Sequence, residues 1–295
     1  MHFLFFNRRV CAVMLGTLVA LALGTGGTSG QPKPLRIGIA RSYLTEQPKA
    51  LVEVASDDFK AVMKKTTGLD GDLISTFDAS EVVAKLDAKQ LDFAILHAHE
   101  LAWSRKKHPD LQVMLIAPDK PFVERAHIIV HKTNPAKSFA DLRGKKLDVP
   151  TGTKEHCRLY LAKLLDGKDR KEYFGAIEKS SLPSDALDNV ARQKVDAAII
   201  DLHSLEFYKD VRGPVFEKNL RILQHSEDFP PTAIIYRKDA VDAAIVKQVR
   251  DGLLKAHTLK IGREMMDQWN IDTFREPPQE YEKSLAEILK AYPGP

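Results

Sequence analysis

The chain has 295 residues, 44% hydrophobic and 28% charged, a globular balance that excludes a disordered or fibrous protein. Its 44 basic and 40 acidic residues are interspersed, without the clustered basic face that a nucleic-acid binder needs, so no nucleic-acid partner is expected. The length accommodates one large domain or two smaller ones.

Arg8 and Arg9 precede an apolar run from Cys11 to Leu23, broken only by Gly16 and Thr17, and small residues follow from Gly24 to Gly30. This is the layout of a secretory signal peptide over residues 1–30, with an apolar stretch too short to span a bilayer comfortably. No later stretch reaches that length, so the exported chain is expected to be soluble, in the periplasm of a double-membrane bacterium. Cys11 lies before the apolar run, which argues against lipid anchoring. Only Cys157 is then left, so no internal disulfide is expected and stability must come from the core.

Beyond Pro34 strands and helices alternate. Leu35 to Ala40 reads as a strand, Arg41 to Pro48 as a turn, and Leu51 to Thr67 as a helix. Leu51, Val54, Ala55, Phe59 and Val62 form that helix's apolar positions, and Gly68 is placed to end it. Asp70 to Phe77 is a weaker strand, Ala79 to Lys89 a helix with Val82, Val83 and Leu86 inward, and Leu91 to His97 a strongly apolar strand. Such alternation predicts mostly parallel sheets with helices on their faces. Helices are also expected over Val241 to His257, Lys260 to Trp269 and Tyr281 to Ala291, packed back on the first lobe.

The chain then repeats itself. Leu91 to His99 parallels Val195 to His203 at an offset of 104 residues, and Lys146 to Pro150 takes the part that Leu35 to Ala40 plays earlier. Ala126 to Lys132 resembles Thr232 to Lys238. This predicts a two-lobed α/β protein, with lobe one formed by residues 31–125 and 232–295 and lobe two by residues 126–231. The last pair of segments is read as two parallel-running hinge strands between the lobes. Both would otherwise be ordinary buried strands.

No nucleophile elbow, phosphate loop, zinc-protease motif or paired-cysteine motif occurs, so an enzyme is not expected. His156 and Cys157 are neighbours that point in different directions on a helix, which argues against a catalytic pair. His97, Ala98, His99 and Glu100 at the end of a strand admit a metal reading or a cleft-lining one, but two local ligands fall short of a complete site. Thr151, Gly152 and Thr153 follow a strand and open a helix, where free N–H groups and the dipole favour an anion, with His156 one turn further on. Thr151 or Thr153 would serve equally as a plain N-cap. Arg41, Ser42 and Tyr43 follow the first strand and would face that turn across a cleft, Arg41 as a bidentate oxyanion contact or as a mere surface charge. Asp201 ends its strand at the position equivalent to His97, as a ligand acceptor or as a helix cap.

Ser138 to Leu147, with its Leu142-Arg143-Gly144-Lys145-Lys146 core leading into a strand and a Thr/Gly turn, resembles the periplasmic phosphate/phosphite/phosphonate-binding proteins of ABC importers. Leu35 to Ile39, Gln90 to Leu96 and Lys194 to Ala198 fit the same family in order and spacing, from Pro34 to Leu254. The resemblance implies a type II-like two-lobed fold and a non-enzymatic, monomeric solute-binding component without cofactor, partnered by importer membrane subunits and a small oxyanion. It puts the oxyanion grip on Thr151, Gly152 and Thr153, where one hydroxyl of the family turn is replaced by Gly152. It matches Tyr43 to a family aromatic, His97 and His99 to another, and Asp201 to an acidic or amide position. A family histidine has no counterpart at Leu182 to Asp185. A metal-binding protein using His97, His99 and His156, and a small-carboxylate lyase on the same scaffold, are the alternatives.

Overall fold

The computed structural model describes residues 33–44, 49–120 and 123–294; the signal peptide expected over residues 1–30 lies outside them. β1 (Leu35–Ala40) turns Ile37 and Ile39 into the core, while Gly38 faces the other way, where an added Cβ would lie 2.5 Å from Leu91. Only glycine fits under that leucine. The segment after β1 is one helical turn, α1 (Arg41–Leu44), instead of the turn expected over Arg41 to Pro48; residues 45–48 lie outside the description.

α2 (Lys49–Thr67) buries Phe59, Val62 and Met63 and ends at Gly68, whose φ of 75° suits glycine. Val54, expected inward, is exposed: five residues from Phe59 is about 140° around the helix, off the buried stripe. The side chains of Leu51 and Ala55 lie outside the description. β2 (Gly71–Phe77) and α3 (Ala79–Asp87) follow. Glu81 accepts from the Asp78 backbone N–H at 3.0 Å to open α3, and Val82, Val83 and Leu86 are buried as their spacing requires. β3 (Phe93–Leu96), α4 (Ala98–Arg105) and β4 (Leu111–Ala117) complete this stretch.

The chain next builds β5 (Ala126–His131), β6 (Lys146–Asp148), α5 (Glu155–Leu165), α6 (Arg170–Tyr173), β7 (Ala176–Glu178), α7 (Pro183–Ala191), β8 (Ala197–Asp201), α8 (Leu202–Asn219) and β9 (Leu220–His225). It returns through β10 (Thr232–Arg237) and closes with α9 (Ala243–Leu254), α10 (Lys260–Gln268) and α11 (Tyr281–Ala291). α9 and α10 pack on α2, and α11 packs on α4.

Two five-stranded sheets result, ordered β2-β1-β3-β10-β4 and β7-β6-β8-β5-β9. In each, the first three strands in that order run parallel, and the fourth pairs antiparallel with both neighbours. Position by position the orders match: β1 with β6, β3 with β8, and β10 with β5. Helices cover both faces of each sheet; Ile37, Phe93 and Ile234 pack on one side of the first, and Ala94, Leu96, Ala233 and Ile235 on the other.

β5 and β10 are themselves sheet strands, and the passages between lobes lie outside them, between β4 and β5 and between β9 and β10. These passages run antiparallel, not parallel as expected, joined by a bridge between Glu124 and Phe229 in which the Phe229 N–H donates to the Glu124 carbonyl at 2.8 Å. The geometry follows from connectivity: one passage leaves the first sheet and the other re-enters it. Leu159 of α5 packs into the core beside Leu96 and Tyr281, so the second lobe also touches the first directly.

Candidate functional site

A cleft of about 290 Å³ opens where the two sheets meet. From the first lobe it is lined by Tyr43 of α1, His97 at the end of β3, and Asp267 to Asn270 at the end of α10. From the second it receives Lys154, the N-cap of α5, and His203 of α8. Asp119 and Glu124, from the passage after β4, complete the lining.

Rings build the first-lobe wall. Tyr43 stacks on Trp269 with centroids 5.5 Å apart and lies 5.2 Å from His97, which stacks almost parallel on His99 at 5.3 Å and 11°. Position explains the arrangement: Tyr43 and His97 each stand just beyond the carboxyl end of a parallel strand, and adjacent parallel strands bring those ends together. Glu100 fixes the start of α4, accepting from the His97 backbone N–H at 3.1 Å and from the Ser42 hydroxyl at 2.6 Å.

The other wall is ionic. Lys154 donates from Nζ to Asp119 Oδ2 at 2.7 Å, and His156 pairs through Nδ1 with Glu124 Oε2 at 3.1 Å. Burial pushes the Asp119 carboxyl above its usual range, and the Lys154 ammonium only partly offsets this. Burial would raise Glu124 too, but the hydrogen bond and charge of His156 bring it down to about 2. Burial opposes protonation of His156, yet the hydrogen bond and charge of the Glu124 carboxylate outweigh it and hold the imidazole well above its ordinary value. His99 goes the other way: burial, reinforced by His97, keeps it neutral, and its Nε2 has no hydrogen-bond partner.

The passage carrying these carboxylates is held from both lobes. Lys120 Nζ donates to Asp267 at 2.8 Å, and the Lys120 carbonyl accepts from Asn270 at 3.3 Å and from His203 Nδ1 at 2.6 Å.

The residues expected at the site separate into two groups. Tyr43 and His97 line the cleft, and His99 and His156 stand behind it. The Thr151, Gly152, Thr153 turn does not present its hydroxyls: Thr151 donates to the Ser180 carbonyl at 3.2 Å and Thr153 to the Pro150 carbonyl at 2.5 Å. Their backbone N–H groups bond to the same two carbonyls. Gly152 has no positive φ and open space where a Cβ would stand, so no close approach demands it. Arg41 is exposed, 3.6 Å from Asp78, and is not part of the cleft lining. Ser42 serves Glu100. Asp201 accepts from the Ser204 backbone N–H at 2.9 Å and is the N-cap of α8. The sequence reading missed Asp119, Glu124, Lys154, His203 and the Asp267 to Asn270 segment as cleft residues.

For metal, no group of three or more His, Cys, Asp or Glu among the described residues is disposed to hold an ion. Rings stacked face to face, as in His97 and His99, do not converge their lone pairs. The thiol of Cys157 is fully buried and pushed up by that burial, against a hydrogen bond with His156 that brings the two side chains together instead of apart as expected; it stays a neutral thiol.

Residues 42–281 match the sequence pattern of a family described as the periplasmic substrate-binding protein of phosphonate ABC transporters. The chain belongs to that family. Its members are transport components, not enzymes, which removes the lyase alternative. No functionally curated protein matches the sequence significantly. Among solved structures, the fold is similar to a Xanthomonas citri protein, XAC2383, bound to ATP (TM-score 0.61, 15% identity, 89% of this chain and 98% of that one). It is similar also to PhnD1 of Prochlorococcus marinus in complex with methylphosphonate (TM-score 0.60, 15% identity, 88% and 97%). A third is a binding-protein component of a Pseudomonas aeruginosa phosphonate ABC transporter (TM-score 0.58, 13% identity, 87% and 86%). At these identities the likeness establishes the two-lobed fold, and the family match supplies the function: a phosphonate-binding periplasmic component of an ABC transporter.

Proposed function

We propose that this member captures a phosphorus oxyanion in the cleft at the start of α5, with Lys154 as the principal cation, and passes it to the importer's membrane subunits as a monomer. The observation that carries this reading is the place of Lys154: its ammonium reaches the cleft from the end of a helix whose dipole also favours negative charge. The His97 ring, the Tyr43–Trp269 stack and Asn270 form the facing wall, so a bound ligand touches both lobes. A charge-assisted hydrogen bond and a helix terminus contribute roughly 2–5 kcal/mol together. Neutral donors extend this toward micromolar affinity, about −8 kcal/mol. In this reading residues 31–125 with 232–295 and residues 126–231 close as two bodies about the antiparallel passages, after export directed by residues 1–30.

Calorimetric titration with methylphosphonate, phosphate, phosphite, 2-aminoethylphosphonate and ATP tests this. One phosphorus oxyanion is expected to bind at micromolar strength or better, and Lys154→Met to weaken it at least about tenfold while the fold is kept. Full affinity in a folded Lys154→Met protein would move the site elsewhere.

A further inference from the structure

We infer that an apolar cavity in the first lobe seats the organic substituent of the ligand, and that it selects phosphonates whose substituent is short, uncharged and ends in a hydroxyl. The inference rests on the placement of the phosphorus group in the cleft beside Lys154, and it names what the rest of that ligand is. The cavity measures about 30 Å³ and shares two residues with the cleft, Tyr43 and Trp269. These are the rings stacked 5.5 Å apart on the first-lobe wall. The pair is therefore the partition between the two spaces, and a chain that passes between the rings leaves one for the other.

The sequence accounts for the chemistry of the cavity. Ile39 of β1, Ile95 of β3 and Ile234 of β10 face it from the sheet, and Phe59, Met265 and Phe274 close it from α2, α10 and the segment that follows. None of its lining residues is charged. Thr232 breaks the apolar pattern. It stands two residues before Ile234 on β10, so the two share one face of the strand, and it is 1% exposed. Its hydroxyl has no hydrogen-bond partner among the described residues. A buried hydroxyl without a partner is costly, and a mostly apolar pocket with one placed polar group is the usual form of a small-molecule site.

The cavity has room for about two water-sized groups. A two-carbon chain ending in oxygen, with its first carbon between the rings, fills that room and brings the oxygen to the Thr232 hydroxyl. An ammonium carried to the same place loses its hydration and meets no carboxylate among the lining residues, which is strongly unfavourable. Phosphate has no substituent and leaves the cavity untouched. No covalent bond changes.

Calorimetry at pH 7 with phosphate, methylphosphonate, ethylphosphonate, 2-hydroxyethylphosphonate and 2-aminoethylphosphonate tests this. Affinity is expected to rise from methyl to ethyl to 2-hydroxyethyl, the last step by about fivefold, the weight of one neutral hydrogen bond. The aminoethyl ligand is expected to bind at least about tenfold more weakly than ethylphosphonate. Thr232→Val puts a methyl where the unpartnered hydroxyl stands and should erase the step from ethyl to 2-hydroxyethyl; Thr232→Ser should keep it. The wild-type series needs no variant. A flat series, a step that survives in Thr232→Val, or an aminoethyl ligand as tight as the ethyl one overturns the inference, while phosphate binding keeps the oxyanion site in place. Silence toward every phosphorus oxyanion overturns both.

Discussion

His127 and His156 are buried in the same lobe and carry opposite charge states. His156 has the Glu124 carboxylate at 3.1 Å and is held protonated. His127 of β5 is pushed down to about 4 by burial, helped by His225, Arg125 and Lys209 and only weakly opposed by Asp201. Its Nδ1 has no hydrogen-bond partner. The linkage signs follow. A lowered imidazole stays neutral in the native state while the unfolded chain takes up a proton below about 6.5, so stability falls between pH 6.5 and 4. By pH 4.5 the loss from His127 amounts to about 2–3 kcal/mol. His127→Phe is expected to remove it, seen as a smaller drop in urea midpoint between pH 7 and pH 4.5 than in the wild type; parallel pH curves would count against the assignment. The Glu124–His156 pair acts differently, its carboxylate contribution being lost progressively as pH falls from about 4.5 to about 2 and its imidazole contribution fading only as pH rises through the raised value. At this scale the sequence disclosed Tyr43 and His97, because strand ends announce themselves. Asp119, His203 and Asn270 carry no local signal: they reach the cleft through contacts between distant segments, and Lys154 is one more lysine just after the Thr/Gly turn.

Elements were more legible, and the internal repeat shows why. Residues 104 apart do the same work in both lobes. Lys89 and Gln193 both take φ near 55°, ending the helices before β3 and β8. Asp92 and Asp196 each accept from the backbone N–H that opens the neighbouring parallel strand, Arg36 or Lys146, at 2.8 Å. His97 and Asp201 both stand as N-caps of the next helix. A pattern constrained by backbone hydrogen bonding stays visible after its side chains diverge, whereas the direction of the passages between lobes depends on connectivity alone and was misread. The repeat also bears on the two readings of Asp201. With its carboxylate on the Ser204 N–H, Asp201→Ala is expected to cost about 1–2 kcal/mol in urea unfolding and to leave oxyanion affinity within about twofold. A tenfold loss of affinity with unchanged stability would return Asp201 to the ligand.

Each lobe has a sheet with cores on both faces, and the lobes are joined by the two passages, by Leu159, and by polar contacts such as Lys163 over the Tyr292 ring and the Tyr292 hydroxyl on Glu227. Without ligand, the lobes can therefore lose structure at different temperatures, because most apolar burial lies within each lobe. A ligand that touches Lys154 and His203 on one side and Tyr43, His97 and Asn270 on the other has its full affinity only when both are folded and closed. Mass action then stabilises the two together, by about 2.7 kcal/mol at a ligand concentration one hundred times Kd. For lobes of this size that corresponds to a rise of roughly 5–10 °C in Tm. Scanning calorimetry with and without methylphosphonate reads it directly. If the cleft is shared, every transition moves upward and they draw closer together. If only one of two transitions shifts, the ligand sits on a single lobe, and the mechanism of capture by closure fails for this protein.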